Sequence, residues 1–316
     1  MRRRLLVLVI IAIAVVAFQI ATRPPTLSPR EDTLAHWTFD RLRAWVAVRP
    51  SPTPGPASAS ATPKPTPTPP SVGRPRTPGD AVSRASGRIF LAFGFDDGTC
   101  SGTVITDRSR DVSLVLTAGH CVYELERSRF ASAWLFVPGL ALGEIPDCVA
   151  RPTGCWTPRA LLIEQAFVSA GTFNDEAVTH DIGIAVIDAG PAHDQLDQVA
   201  GNLPLADAPA AGDPVELVGY PGDRQDSGSG LTTCSGVLDE VPATSSSLVW
   251  AAACDMTGGS SGGAWLVDTS AGTPSIVSVT SAGVRDESRF GPVFDADTMA
   301  LIDAAETATS NTVLAR

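Results

Sequence analysis

Three side chains in this sequence suit nucleophilic catalysis: His120, Asp181 and Ser261. Ser261 stands in the glycine-rich run 258–263, and a serine hydroxyl becomes an effective nucleophile near neutral pH only when a base accepts its proton. His120 is the candidate base. Asp181 opens the apolar run 182–187 and is the candidate carboxylate that orients the imidazole. Together they predict acyl transfer through a serine.

Taken singly, each segment has a plainer interpretation: a Gly/Ser-rich surface loop, a structural histidine and an ordinary turn aspartate. Asp175 and Glu176 are weaker candidates for the carboxylate, because no apolar strand follows them directly. His180 lacks the sequence context of His120, and we expect it to be a surface or rim residue. The three segments occurring together favour catalysis over these alternatives.

The serine segment also fits the G-x-S-x-G pattern of an α/β-hydrolase nucleophile elbow. In that fold the catalytic histidine follows the serine along the chain. Every histidine here precedes Ser261: His36, His120, His180 and His193. The order excludes the elbow interpretation.

Residues 116–121 (LTAGHC), 180–186 (HDIGIAV) and 258–263 (GGSSGG) resemble the active-site segments of chymotrypsin-fold, trypsin-like serine peptidases. The resemblance spans residues 87–295 and is nearest to the bacterial secreted branch that includes the glutamyl endopeptidases. It implies two six-stranded antiparallel β-barrels with the active site in the cleft between them. It also implies an oxyanion hole formed by the N–H groups of Gly259 and Ser261, of a kind worth about 3–4 kcal/mol.

The chain departs from the zymogen pattern of this family at Ser260. Trypsin-like zymogens usually carry an aspartate there, which pairs with a new N-terminal amine after cleavage, and a serine cannot form that ion pair. An Ile-Val-Gly-Gly start is also missing; the nearest candidate begins at Arg88 and Ile89. We therefore predict activity from near Ala81 onward without trimming to one exact N-terminus.

Two segments near Ser261 contain the candidate residues for substrate specificity. Ser281 and Gly283 belong to a segment that resembles the strand whose backbone pairs with substrate. Thr280, just before it, replaces a histidine of glutamyl endopeptidases, so a carboxylate-reading pocket is not supported. Counting back from Ser261 puts Asp255 where trypsin has its pocket aspartate, which predicts a weak preference for Arg or Lys before the scissile bond. In the alternative interpretation Asp255 caps a strand or faces solvent.

Six cysteines downstream of an export signal suggest three disulfides, although six cysteines allow fifteen pairings. The family resemblance implies one bond beside His120, a short loop suggests a second, and the remaining two cysteines would join strands near the serine. These pairs are Cys100–Cys121, Cys148–Cys155 and Cys234–Cys254. Reduced structural thiols are the alternative.

Composition limits the classes of function. The 316 residues are 44% hydrophobic and carry a formal net charge of −11, which argues against nucleic acid and anionic membrane surfaces as partners. The histidines are dispersed and the cysteines lack paired CxxC spacing, so we predict no metal and no cofactor. The expected partner is a protein or peptide substrate, and the expected state is a monomer.

The N-terminal region divides by composition. Residues 1–21 begin with arginines and continue as an apolar run, which predicts a signal peptide or a retained signal anchor and hence a possible membrane tether through residues 5–21. Residues 22–48 include a short amphipathic helix over 31–48, suited to packing or to a membrane interface. Residues 49–80 are a Pro/Ser/Thr-rich linker, either a stalk or a pro-segment. Residues 81–316 form the peptidase domain.

Within that domain, short apolar segments alternate with Gly, Pro and Asp turns, which predicts an all-β fold. The predicted strands are 89–95, 102–105, 114–118, 133–138, 182–188, 215–220, 248–253, 263–267 and 276–282. An alanine-rich segment, 296–307, predicts a closing helix. The sequence as a whole predicts an exported serine endopeptidase; the alternatives are a non-catalytic binding module or an esterase on the same fold.

Overall fold

A computed structural model describes residues 28–46, 71–107, 111–141, 143–148, 154–190, 194–206, 209–222, 230–268, 274–284 and 287–315. The predicted signal peptide or anchor, residues 1–21, lies outside the described residues, as does most of the predicted linker. Among the described helices, none has the length and apolar character needed to cross a membrane.

β-Strands dominate the described residues. In chain order they are β1 (Arg74–Pro75), β2 (Ser86–Phe93), β3 (Asp96–Ile105), β4 (Val112–Thr117), β5 (Tyr123–Glu124), β6 (Arg129–Phe130), β7 (Ala133–Pro138), β8 (Pro158–Glu164), β9 (Gly183–Asp188), β10 (Pro214–Gly219), β11 (Thr232–Val237), β12 (Asp239–Pro242), β13 (Leu248–Ala253), β14 (Ala264–Asp268), β15 (Pro274–Val279), β16 (Ala282–Val284), β17 (Ser288–Pro292) and β18 (Thr312–Leu314).

The helices are short and lie between or outside the strands. They are α1 (Pro29–His36), α2 (Phe39–Val46), α3 (Ala81–Ala85), α4 (Gln165–Ser169), α5 (Asp175–Thr179), α6 (Leu196–Ala200) and α7 (Ala296–Ala305). Asp295 caps α7 through a capping box with Thr298, which satisfies backbone N–H groups at the start of the helix. The predicted C-terminal helix is thereby confirmed.

Strands of the first half of the domain, together with β18 from near the C-terminus, form a seven-stranded sheet in the order β18-β8-β9-β4-β3-β2-β7. Its neighbours pair antiparallel except β18, which runs parallel to β8. All six residues of β4 are buried, and β2 and β9 are buried along nearly their whole length. Because they are buried, these strands have fixed positions in the core. His120 follows β4 and Asp181 precedes β9.

The second half forms a five-stranded sheet, β1-β11-β10-β14-β15, and a four-stranded sheet, β12-β13-β17-β16. A second apolar core, distinct from that of the first half, packs between them around Trp250 and Trp265. The predicted all-β class and each predicted strand are confirmed, with shifts of a few residues at the ends. The strands form sheets of seven, five, four and two members, so the count of two six-stranded barrels stays a prediction.

The predicted helix over 31–48 is instead two helices, α1 and α2, separated at Trp37. The Trp37 side chain is buried, packs 5.6 Å from the Phe90 ring and donates from Nε1 to the carbonyl of Ala133 at 3.3 Å. Leu42 is also fully buried. The segment therefore packs on the peptidase domain, because its apolar face covers β2 and β7.

The end of the predicted linker also joins the domain. Arg74 and Pro75 pair with β11 at the edge of the five-stranded sheet, where a proline is tolerated. Arg76 forms an ion pair with Glu216 at 2.6 Å. Residues 71–80 are therefore part of the folded domain, since the sheet edge supplies partners that composition alone does not reveal.

Three disulfides cross-link the domain in the predicted pairs. Cys100–Cys121 joins β3 to the turn after β4, and Cys234–Cys254 joins β11 to the end of β13. Cys148–Cys155 closes a local loop. Among the described residues no cysteine is free.

Candidate active site

The pairing of β4 with β9 brings His120 and Asp181 together. Thr117, the last residue of β4, lies opposite Gly183, the first residue of β9. A short 3-10 turn, Gly119–Cys121, follows β4 and carries His120, and Asp181 lies two residues before β9. Both side chains therefore emerge at the same end of one strand pair, although 61 residues separate them.

Asp181 is fully buried and holds His120 through two atoms. Its Oδ1 accepts from the backbone N–H of His120 at 2.7 Å, and its Oδ2 lies 2.7 Å from His120 Nδ1. Because a carboxylate only accepts, the Nδ1 atom carries the proton in this pair. Nε2 of the neutral imidazole is then the acceptor atom.

A third hydrogen bond comes from the second half of the domain. Ser281 Oγ donates to Asp181 Oδ2 at 2.6 Å, and Ser281 is itself buried. The buried carboxylate thus accepts three hydrogen bonds, which offset the cost of removing its charge from water.

The pKa of His120 is raised above its ordinary value. Burial is the largest single influence and lowers the pKa, but the negative charge of Asp181 and its hydrogen bond to the ring together outweigh it. Asp181 therefore favours the protonated imidazole, as required of a base that gains a proton during a reaction.

Ser261 lies beside this pair on the loop before β14. Its carbonyl accepts from the backbone N–H of Ser101 on β3 at 2.7 Å and lies 3.7 Å from the sulfur of Cys121, the residue after His120. Gly262 follows with φ of +78°, and a Cβ atom there would come within 2.1 Å of Thr117 Oγ1. The glycine is needed because the serine loop approaches the first half of the domain so closely.

Carbonyl groups of the turn 257–263 accept hydrogen bonds from other segments of the domain. Gly258 O accepts from Gly222 N–H at 2.7 Å, and Gly259 O accepts from Ser101 Oγ at 2.8 Å. Within the described part of the chain, the backbone N–H groups of Gly259 and Ser261 donate to no protein acceptor. These are the two donors predicted for the oxyanion hole, and both are available to a ligand.

Ser260 is held by its neighbours. It is buried, and its hydroxyl donates to the carbonyl of Thr257 at 2.7 Å, closing the turn without an ion pair. Ile89, the nearest candidate for a new N-terminus, lies inside β2 between Cys100 of β3 and Phe136 of β7. Both strand partners keep this residue in the sheet.

A pocket of about 250 Å³ opens next to Ser261. Its described lining consists of Thr257, Gly258, Ser260, Ser261, Thr280, Ser281, Ala282, Gly283 and Arg289. The predicted substrate-binding residues Thr280, Ser281 and Gly283 are therefore all present in its wall. Thr280 Oγ1 accepts from Trp265 Nε1 at 2.9 Å, which fixes that hydroxyl.

The prediction for Asp255 is wrong. Its carboxylate accepts from the backbone N–H of Gly73 at 2.6 Å, its backbone N–H donates to Ser71 O, and it is not part of the pocket lining. The end of the predicted linker, at Gly73, therefore binds this carboxylate. The alternative interpretation, a capping role beside Cys254, describes Asp255 better.

The rival titratable residues lie on α5 or at its end. Asp175 and Glu176 form the first turn of α5, and His180 ends that helix with Nδ1 3.3 Å from Glu164 Oε2. The hydrogen bond that His180 donates to Glu164 is the main reason that the pKa of His180 is raised. His180 is partly buried and pairs with Glu164, which fits the expected rim position.

Three residues that the motifs did not reveal contribute to the site. Ser101 links the first half of the domain to the serine loop, Phe173 packs edge-on against the His120 ring at 5.2 Å, and Arg289 lines the pocket. Phe173 leaves 42% of its surface exposed.

Comparison with known proteins agrees with this geometry. A family model described as a trypsin-like peptidase domain matches residues 100–274, more than half of the chain. No curated protein matches the chain by sequence.

Solved structures provide further comparisons. The protease Anisep from Arthrobacter nicotinovorans is 27% identical, with a TM-score of 0.61 over 75% of this chain and 100% of its own. The thermostable serine protease AL20 from an extremophilic microorganism is 27% identical, with a TM-score of 0.60 over 72% of this chain and 100% of its own. A Glu endopeptidase shares the fold at 20% identity and a TM-score of 0.56, over 75% of this chain and 97% of its own. With the strand order and the pocket described above, these matches show that the chain belongs to the trypsin-like peptidase family and is a serine peptidase.

Proposed function

We propose that this protein is an exported serine endopeptidase in which Ser261 is the nucleophile, His120 the general base and Asp181 the residue that orients the base. The observation that carries the proposal is the pair of 2.7 Å contacts between a fully buried Asp181 and His120, in the cleft that holds Ser261. A histidine anchored at Nδ1 and at its backbone presents Nε2 as the acceptor for a hydroxyl proton.

The mechanism follows from these positions. Ser261 Oγ attacks the scissile carbonyl while its proton passes to His120 Nε2. The negative charge that develops on the carbonyl oxygen is stabilised by the N–H groups of Gly259 and Ser261. His120 then returns the proton to the leaving amine, and an acyl-enzyme remains on Ser261.

Deacylation repeats the sequence with water. His120 takes a proton from the water, hydroxide adds to the acyl carbon, and Ser261 leaves with the proton that His120 returns. In acylation and deacylation the protein contributes side chains and backbone N–H groups. The chemistry hydrolyses an ester as well as an amide, so turnover of a folded protein or an internal peptide bond is the diagnostic activity.

Export is supported by three disulfides, which persist in oxidising compartments. It is supported also by the arginine-led apolar run at residues 1–21. N-terminal sequencing of the protein, isolated from the culture medium or from the membrane, distinguishes cleavage of that run from its retention as an anchor.

Covalent labelling with a fluorophosphonate tests the function. We expect label on the peptide that contains Ser261 and loss of label and of casein hydrolysis in Ser261→Ala, whose circular dichroism stays unchanged. His120→Ala should lose nearly as much, since the two residues act as a unit. Label without hydrolysis of any protein or peptide would favour an esterase. Absence of both from the folded wild-type protein would favour a binding module and refute the proposal.

A further inference from the structure

We infer that Arg88 is a positioning residue for the oxyanion hole: its buried positive charge lies behind the peptide bond between Gly258 and Gly259 and keeps the N–H of Gly259 directed at the substrate. This inference rests on the proposed function, because it concerns the negative charge that develops when Ser261 attacks a carbonyl. Arg88 lies on β2, outside the three segments that carry the candidate catalytic residues.

Strand pairing directs the Arg88 side chain at the serine loop. Arg88 lies opposite Ser101 in the pairing of β2 with β3, and residues directly opposite in an antiparallel pair project from the same face of the sheet. Ser101 binds the serine loop from that face, because its Oγ donates to the carbonyl of Gly259 at 2.8 Å. The Arg88 side chain therefore points toward the loop that carries Ser261.

The guanidinium of Arg88 lies on the carbonyl side of the peptide bond between Gly258 and Gly259. A Cβ atom on Gly222 would lie 3.4 Å from Arg88 Nη2 and 3.5 Å from the carbonyl oxygen of Gly258. Nη2 is therefore within about 7 Å of that oxygen, which also accepts from Gly222 N–H at 2.7 Å. In a trans peptide the carbonyl and the N–H point in opposite directions, so the N–H of Gly259 points away from the cation.

Arg88 is a buried cation that forms no ion pair with any described residue. It is 1% exposed, and its Nε and Nη1 atoms have no hydrogen-bond partner in the described part of the chain. Its guanidinium carbon lies 5.8 Å from the centre of the Phe90 ring, a contact that offsets part of the cost of burial. Burial lowers the pKa of Arg88 to about 10, so the group stays protonated at neutral pH. Because an unpaired buried cation destabilises a fold, its presence points to a role other than stability.

Two effects of this charge favour catalysis. The cation attracts the carbonyl oxygen of Gly258 and repels the N–H of Gly259, which disfavours the orientation in which that N–H turns away from the substrate. It also attracts the negative charge that forms on the substrate oxygen. At a separation on the order of 10 Å and an effective dielectric constant of about 20, this attraction corresponds to a rate factor of roughly tenfold.

The experiment compares Arg88→Met, Arg88→Gln and Arg88→Lys with the wild-type enzyme on a peptide that contains a bond cleaved in casein. In the Met and Gln variants we expect kcat to fall at least about tenfold while KM stays within about threefold, because the charge acts on the transition state. Arg88→Lys keeps the charge and should restore part of the loss. Rates are expressed per Ser261 labelled to completion by fluorophosphonate, so unfolded protein does not contribute.

A matched pair of inhibitors separates this effect from a general loss of structure. With a peptidyl trifluoromethyl ketone, Ser261 Oγ adds to the ketone carbon, its proton passes to His120, and the ketone oxygen becomes a negatively charged hemiketal oxygen. The corresponding peptidyl alcohol binds without that bond. Arg88→Met should raise the Ki of the ketone at least about tenfold and leave the Ki of the alcohol within about threefold.

A control variant and four outcomes complete the test. Arg129→Met also removes an arginine, but one that pairs with Glu124 outside the pocket lining, and it should leave kcat and both Ki values unchanged. The inference would be overturned by near wild-type kcat in Arg88→Met, by an equal loss in Arg88→Lys, or by equal changes in the two Ki values. Each of these results leaves the peptidase assignment intact. Failure of label and cleavage in the wild-type protein would instead refute the proposed function.

Discussion

Asp181→Asn is the substitution that tests the site most directly, because it changes one oxygen of a carboxylate that accepts three hydrogen bonds. Oδ1 can still accept from the His120 backbone, but a new NH₂ group takes the place of the oxygen that faces His120 Nδ1 and Ser281 Oγ. An NH₂ group only donates, so Nδ1 must become an acceptor and the imidazole proton moves to Nε2. In that tautomer His120 cannot take the proton of Ser261.

The expected loss is large. With the wrong tautomer we predict kcat reduced by about 10⁴, as is typical of this substitution in serine peptidases. At about 1.4 kcal/mol per tenfold change, this is about 5.5 kcal/mol of transition-state stabilisation. The matched variant Ser281→Ala removes one donor to the same carboxylate and leaves the tautomer unchanged. It should cost about 10- to 100-fold, as expected for one hydrogen bond to a charged group.

The pH dependence gives a second measurement of the same change. His120 must be neutral to act as a base, and its pKa is raised, so the acidic limb of wild-type kcat/KM should lie above about pH 6.5. Asp181→Asn removes both influences that raise the pKa and leaves burial, which lowers it. The acidic limb of the residual activity should therefore move below about pH 6.5. Asp181→Asn activity within tenfold of wild type, or an unmoved limb, would contradict the assigned role of Asp181.

Three further predictions concern the elements around the site. Ser101→Ala removes the acceptor that lies 2.8 Å from the buried N–H of Tyr220 and the donor that holds the carbonyl of Gly259 in the serine loop. We expect kcat to fall about tenfold while KM stays nearly constant. An unchanged kcat would exclude a positioning role for Ser101. Trp37→Ala should lower the free energy of unfolding by about 3–5 kcal/mol in urea titrations, whereas alanine at the exposed Phe39 should change it by less than about 1 kcal/mol. A protein that begins at residue 28 after a short tag should be active at once, because the Ser260 hydroxyl closes the turn at Thr257 without an ion pair to a new N-terminal amine. A lag in activity that ends only with cleavage to one N-terminus would refute this.

The sequence was sufficient to select the candidate catalytic residues because each lies in a short segment whose local chemistry is distinctive. His120 follows a buried strand, Asp181 precedes one, and Ser261 needs glycines where its loop meets another backbone. The structure brings these three segments to one cleft through β4, β9 and the turn before β14. Strand patterning likewise predicted the central strands, whose apolar runs are buried.

The residues of the pocket wall were not predictable in this way, because their positions depend on strand pairing and on contacts between distant segments. Asp255 stands at a plausible count from Ser261, but Gly73, 182 residues away in sequence, binds its carboxylate. Arg289 carries no motif, and its position follows only from the register that sets it opposite Gly283. A count along one segment cannot supply either fact.

The cleft is held together by hydrogen bonds that cross between the two halves of the domain. Ser101 from the first half fixes the serine loop of the second, and Ser281 from the second half donates to the carboxylate of the first. Ser281 also belongs to the pocket wall, and its N–H donates to the carbonyl of Phe290, the residue after Arg289. The serine that donates to Asp181 is therefore also part of the pocket wall, so one residue contributes both to the orientation of His120 and to the shape of the pocket.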